Sequence, residues 1–363
     1  MTFGLAKILW WQLKIGLQPA ASFIAAPDCT ITRNSARWLS GFGYGGKLFY
    51  DFPEPAVVLD VKPNACGMLV GGIEQLPSQE ELTDRLARLL NSSATLDGVP
   101  LSWDFAAGNH FVDVFSVHPM KPHLQLPPFG FIVHSACPEL RAESAAGPGL
   151  YWDKSQALLA SAEEISTPWG PLRVLRGGKA QDYLDFFSYC ADFAARKRLL
   201  AAEVLFGDFT VISNRFHQGL LPDGRVLLGS HHSLWPEPLP MTLRPDLPSY
   251  LMSGLPNVRA ESLPAHAISG AADYAARCLG EANIVPHGGG YALDGIRKLV
   301  NVVDRGERRL FELEREATST AELISDPGTL PTRYRGRQVL MKTIEHGLGE
   351  PIARLDPVLV IKA

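Results

Sequence analysis

The chain has few of the features that mark secreted, membrane-spanning or nucleic-acid-coating proteins. Its 363 residues include only five cysteines, at Cys29, Cys66, Cys137, Cys190 and Cys278, with no CxxC pair. An odd, scattered set is not a disulfide framework, so a reducing compartment, the cytoplasm, is expected. No apolar run reaches the ~20 residues that a spanning helix needs. Leu5 to Leu17 is apolar and aromatic, but Lys7, Gln12 and Lys14 interrupt it. A weak signal peptide, with Ala20 and Ala21 or Ala25 and Ala26 at its cleavage site, is the minor alternative. Positive charge is not in excess: 34 Lys and Arg against 38 Asp and Glu give a net charge of −4, too little for coating a polyanion through bulk charge. A local basic groove stays open, from Arg196 to Arg198, Arg305 with Arg308 and Arg309, or Arg333, Arg335 and Arg337; the alternative is that these are solvated faces.

No Gly/Ser tract, charge block, repeat or low-complexity segment divides the chain. With 46% hydrophobic residues, residues 1–363 read as one large domain, and residues 1–20 as an N-terminal extension at its periphery. Short Val-, Ile- and Phe-rich runs predict strands at Ala56 to Asp60, Phe111 to Val117, Gly130 to His134, Phe209 to Ser213 and Arg225 to Leu228. Periodicity predicts helices at Ser78 to Leu90, Gln181 to Leu205, Ala271 to Leu279, Gly306 to Thr320 and Gln338 to Leu348. In the longest, Tyr183, Phe186, Phe187, Cys190, Phe193 and Ala194 form one apolar face. The Pro-rich stretches Pro119 to Pro128 and Pro236 to Pro248 read as surface loops. Without a βαβ rhythm, the fold class is α+β: a mixed sheet surrounded by helices.

Chemistry-bearing side chains stand beside small residues at five places: Cys66 in Asn64-Ala65-Cys66-Gly67-Met68, His110 in Gly108-Asn109-His110-Phe111, His134 in Val133-His134-Ser135, His217 in Phe216-His217-Gln218-Gly219, and His287 in Pro286-His287-Gly288-Gly289-Gly290. One thiolate with several imidazoles is a borderline-soft donor set for Zn, Fe, Co or Mn, although no HxxxH or CxxC spacing announces a metal site. Three glycines after His287 remove every Cβ from its surroundings. The loop is either an anion cradle beside a nucleophilic imidazole or a tight turn with an incidental histidine.

The order of these pieces resembles the RtcB family of RNA ligases, which use GTP and Mn²⁺ to join 2′,3′-cyclic phosphate or 3′-phosphate RNA ends to 5′-hydroxyl ends. The likeness runs from Ala26-Pro27-Asp28 through Cys66-Gly67-Met68, Gly108-Asn109-His110-Phe111, His134-Ser135, the Ala191 to Arg198 helix and His217 to His287-Gly288-Gly289-Gly290 and the tail Leu355 to Ala363. The resemblance implies Cys66, His110, His134 and His217 as ligands of one or two Mn²⁺ ions; Pro63 stands where the family has aspartate, which leaves Asp60 as a further candidate ligand, or Asn64 as a stand-in. It implies His287 as the guanylylated nucleophile, and Asn109, Gly288, Gly289, Gly290 and Lys362 as GTP contacts. Asp113 stands at an acidic position of the family. Departures are Thr30 for a histidine, Gly229 to Ser233 for an RKGA segment, and Tyr291 for an arginine. His231 and His232 either replace the lost cations or lie on a loop surface. The alternative is a homologue that no longer ligates and binds nucleotides or RNA ends, or works as a metal-dependent phosphoesterase.

Overall fold

The computed structural model describes the chain except residues 31–34, 106–107, 257–267, 271, 306–307, 319 and 362–363. It is an α+β structure with seven α-helices among the described residues: α1 (Thr2–Lys14), α2 (Ser35–Ser40), α3 (Gln79–Leu90), α4 (Gln156–Ser161), α5 (Gly177–Phe206), α6 (Ala272–Gly280) and α7 (Gln338–Glu345). Its spine is an 11-stranded sheet. In chain order the strands are β1 (Ala21–Thr30), β2 (Tyr44–Tyr50), β3 (Cys66–Ile73), β4 (Phe111–Pro119), β5 (Phe129–Ser135), β6 (Thr210–Leu220), β7 (Val226–Leu228), β8 (Leu239–Met241), β9 (Ser249–Gly254), β10 (Ile268–Gly270) and β11 (Gly349–Ile361). Their spatial order is β8-β9-β11-β4-β5-β3-β6-β7-β2-β1-β10, and every pairing is antiparallel.

The central strands are buried on both faces. Every residue of β3, CGMLVGGI, is buried, so it reads as an apolar run with glycines rather than an alternating strand. Gly71 and Gly219 make room for aromatic rings: a Cβ would come 2.1 Å from Phe131 Cζ at the first and 2.0 Å from Phe187 Cζ at the second. The helix α5 (Gly177–Phe206) lies across one face. Its Tyr183, Phe187, Cys190, Phe193 and Ala194 join the largest core cluster with the helix α1 (Thr2–Lys14). Further along α5, Ala201, Ala202, Leu205 and Phe206 close a second cluster with Leu82, Leu86 and Leu89 of the helix α3 (Gln79–Leu90). The start of α3 has a capping box, in which Ser78 Oγ accepts from Glu81 N and Glu81 accepts from Ser78 N, satisfying two end donors reciprocally.

Several expectations are corrected. Residues 1–20 are not a peripheral extension: Leu5, Ile8 and Trp11 belong to the main core, and Lys7 Nζ, buried, donates to Ser40 O and Pro171 O at 3.1 and 3.0 Å. Arg308–Arg315 is a strand between Ile296–Arg305 and Ala321–Ile324, not a helix. Phe311 and Leu313, two apart, bury the same side of it against Trp38, and that period of two outweighs the helix-forming Glu and Leu content. The expected loop at Pro236 to Pro248 contains β8, whose Leu239 and Met241 are fully buried; Pro240 is tolerated there because β8 is an edge strand. In the run Arg196 to Arg198, Lys197 and Arg198 are not solvated, being 0% and 1% exposed, whereas Arg196 stays at the surface and pairs with Asp97 and Asp192. No helix among the described residues is long and apolar enough to cross a membrane.

Phe187, 2% exposed, links α5 to the sheet, and Phe187→Ala is expected to destabilise the chain by about 3–5 kcal/mol. A urea midpoint that falls by less than about 1 kcal/mol equivalent at unchanged slope would show that this face of α5 does not carry the core.

Candidate metal centre and its pocket

The four central strands β4, β5, β3 and β6 bring the candidate ligands into one row. Met68 pairs with His134, Phe111 also pairs with His134, and Gln218 pairs with Cys66. Antiparallel register therefore sets the start of β3 beside the end of β5, the entry to β4 and the middle of β6. At His217 the β3–β6 register shifts: Phe216 faces Gly67 and Gln218 faces Cys66, with His217 between them. This bulge turns His217 toward the row. Gly67 permits the approach, because a Cβ there would lie 2.5 Å from Arg215 O and 3.0 Å from Arg198 Nη1.

Cys66 Sγ lies 3.1 Å from His110 Nε2 and 3.0 Å from His134 Nε2, and His134 Nε2 is 3.3 Å from His217 Nε2. The donor atoms of Cys66, His134 and His217 lie within 4.8 Å of one another, and all three residues are buried. Bonds of about 2.0–2.3 Å to one cation would separate adjacent tetrahedral donors by about 3.3–3.8 Å, so the cluster could hold a metal ion with little rearrangement. Burial, with the neighbouring His287 and other histidines, holds His134 and His217 well below the ordinary histidine range, leaving neutral imidazoles whose lone pairs can ligate. His110 is set differently. Burial disfavours its charge, but Cys66 and Asp104 outweigh that and push it up to about 10. Its Nδ1 is 2.8 Å from Asp104 Oδ2, an arrangement that directs Nε2 toward Cys66.

The cysteine is mounted under strain. Ala65 has φ 52 and Lys62 φ 46, left-handed values that cost non-glycine residues of order 1 kcal/mol each. Asn64 Oδ1 accepts from Cys66 N at 3.0 Å, so Asn64 orients the cysteine backbone. Asp60 is not brought to the cluster: its carboxylate accepts from Arg173 N at 2.9 Å and faces the Arg173 guanidinium at 3.6 Å.

Beside the row opens a cavity of about 670 Å³, lined by Cys66, Asn109, His110, Asp113, His134, His217 and His287-Gly288-Gly289-Gly290. The His287 ring is 4.5 Å from that of His217. Its Nδ1 faces Asp28 Oδ2 at 3.0 Å, a contact that places the proton on Nδ1 and leaves Nε2 as the lone pair. The three glycines have a packing reason of their own. A Cβ at Gly288 or Gly289 would lie 2.7 Å from Thr242 O or Leu243 O, and one at Gly290, φ +60, 2.2 Å from Asp28 O. Lys362 lies outside the described residues; Val360, two positions earlier, lines the cavity. Tyr291 is also on its wall, its hydroxyl 2.9 Å from that of Tyr334. His231 supplies no replacement cation, because burial holds it down to about 3 and its Nε2 is committed to Pro240 O at 2.8 Å. His232 lies in the short strand Ser230–His232, its Nδ1 3.1 Å from Asn283 O.

No protein-family model matches the chain, and no curated protein matches its sequence.

Sequence reasoning passed over the residues behind the ligands. Asp104, six positions before His110, sits in a buried network with Lys197, whose Nζ is 2.8 Å from Glu139 and donates to Ala136 O at 3.2 Å. Arg198 donates to Asn214 Oδ1 at 2.8 Å and to Ser135 O at 3.3 Å. The Arg-Lys-Arg run 196–198 was visible, but nothing in it marked two of its members as buried.

Cys66→Ala and His134→Ala are each expected to lower the affinity for added Mn²⁺ or Zn²⁺ by at least about tenfold, as read by metal analysis after dialysis. Asp60→Asn should leave bound metal unchanged. Equal metal loss in all three variants would count against this ligand set.

Proposed function

We propose that the chain is an RtcB-like, metal-dependent nucleotidyl-transferring RNA ligase, in which His287 takes guanylate from GTP and passes it to a phosphorylated RNA end. The observation that carries this reading is the convergence, in one pocket, of a Cys/His cluster with a histidine whose Nδ1 is held by Asp28 and whose Nε2 is left for attack. The fold and GTP and Mn²⁺ as cofactors are those that the resemblance implies; the partners are RNA ends.

Cys66, His134 and His217, with His110, would hold Mn²⁺. When bound, such a cation neutralises phosphate charge and polarises the phosphorus. The residues do the rest. Asp28 keeps the Nδ1 proton and stabilises the imidazolium that develops as Nε2 attacks the α-phosphorus of GTP. A P–N bond forms, the bond to the bridging oxygen breaks, and pyrophosphate leaves with the electron pair. The RNA phosphate oxygen then displaces His287 from the guanylate. The 5′-hydroxyl oxygen finally attacks the activated RNA phosphate, giving the phosphodiester and GMP, with its proton passed to solvent. Asn109 and the Gly288 to Gly290 loop border the cavity where the nucleotide phosphates would lie.

Tyr291 in place of an arginine and the neutral, buried His231 favour a second reading, in which ligation is lost and the pocket binds RNA ends or hydrolyses a phosphoester with water as nucleophile.

Incubation with Mn²⁺ and α-labelled GTP should leave acid-labile label on the protein, none above background in His287→Ala, and slower labelling in Asp28→Asn. Metal binding without any label on the wild-type chain would reject the ligase and leave the second reading.

A further inference from the structure

We propose that the pocket wall formed by Arg141, Tyr151 and Lys62 is a subsite for the terminal phosphomonoester of a polynucleotide, separate from the Gly288 to Gly290 loop. The inference rests on the RNA-end reading above and assigns that substrate's phosphate to a place in the pocket. Neither Arg141 nor Lys62 lies in a motif that carries the family resemblance.

Three arginines line the cavity: Arg37, Arg141 and Arg244. Two are engaged. Arg37 donates to Val61 O and Lys62 O, both at 3.1 Å, and Arg244 pairs with Asp246. Arg141 is different, because its side chain has no hydrogen bond or ion pair among the described residues, and its Nε is buried without a partner. A guanidinium without an acceptor inside the protein is unfavourable, so a ligand that accepts from this side chain is favoured. Its flat, forked donor set matches a phosphate better than any single-point acceptor.

The surroundings hold the guanidinium without consuming its donors. The Arg141 guanidinium carbon lies 5.6 Å from the Tyr151 ring centroid, and Lys62 Nζ is 5.5 Å from the same centroid, a cation–π arrangement. The acid beside this wall is matched, Asp153 to Lys62 at 2.6 Å, so that pair carries no net charge to repel an anion.

Position favours a substrate phosphate over a remote anion. Lys62 precedes Cys66 by four residues on the strained loop that mounts the thiol, and Arg141 follows His134 by seven, through the turn Pro138–Leu140. These two segments are tied by Cys137 N donating to Asn64 O at 3.5 Å. The subsite and the metal cluster thus sit at the same end of the adjacent strands β3 and β5.

The test uses one short labelled RNA made in two forms, ending in a 3′-phosphate or a 3′-hydroxyl, with binding to the full chain followed by fluorescence anisotropy in the absence of GTP. The wild-type chain is expected to prefer the phosphate form by about tenfold or more, the size of one charge-assisted contact. Arg141→Ala should bring the ratio near one with binding of the hydroxyl form unchanged, and Arg141→Lys should restore part of it. A wild-type chain without end preference, or an Arg141→Ala variant that retains it, overturns the subsite. If Arg141→Ala fails to fold, the wild-type ratio and Arg141→Lys still decide. Inorganic phosphate is then added as competitor. Displacement only at concentrations far above those of the RNA supports a polynucleotide end, whereas equal potency reassigns the wall to free phosphate and overturns the proposal. A retained end preference in a chain that takes no label from GTP would remove the ligase reading alone.

Discussion

Everything at the candidate site depends on one constraint, the antiparallel register of four central strands. Met68 opposite His134 and Gln218 opposite Cys66 place side chains that are up to 151 residues apart, from Cys66 to His217, within a few ångströms. Strand spacing is about 4.8 Å, so neighbouring strands offer donors at the scale of a metal coordination shell only when their register agrees. A one-residue slip in β3 would carry Cys66 to the opposite face of the sheet. The bulge at His217 uses the same rule in reverse, spending one unpaired residue to turn a side chain that regular pleating would direct away.

The surroundings make that register expensive to disturb. Gly67, Gly71 and Gly219 let backbone and aromatic rings approach where any Cβ would collide. The buried Lys197 and Arg198 reach from α5 to backbone carbonyls beside the cluster. Charged groups at full burial are unfavourable unless paired, and here Lys197 meets Glu139 and Asp104 while Arg198 meets Asn214 through Nε and Ser135 through Nη1. The same helix therefore stabilises the core through Phe187 and Phe193 and holds the segment that follows His134. Two carboxylate–histidine pairs, Asp104 with His110 and Asp28 with His287, then orient the imidazoles. One pair turns Nε2 toward the thiol, and the other leaves Nε2 beside the pocket.

Much of the architecture was legible in local pattern. The apolar stripe of α5, the Ser78 and Glu81 signature at the start of α3 and the runs at Phe111 to Val117 and Gly130 to His134 correspond to observed elements, with ends shifted by a few residues. Local pattern does not reveal an element where burial is two-sided, and misleads where composition and period disagree. β3 lacks alternation because both faces are buried, and Arg308–Arg315 carries helix-forming residues on a period of two.

The order of Cys66, His110, His134, His217 and His287 among small residues is a property of the chain alone, and it marked these side chains as the ones able to carry metal and nucleophilic chemistry. Local sequence states residue type and nearest neighbours, and no more. Which of these donors meet, that Asp60 turns instead to Arg173, that Lys197 is buried, and that Arg141 faces the cavity without a partner are outcomes of long-range strand pairing and packing. Such contacts join positions separated by tens to hundreds of residues, so only the assembled sheet decides them.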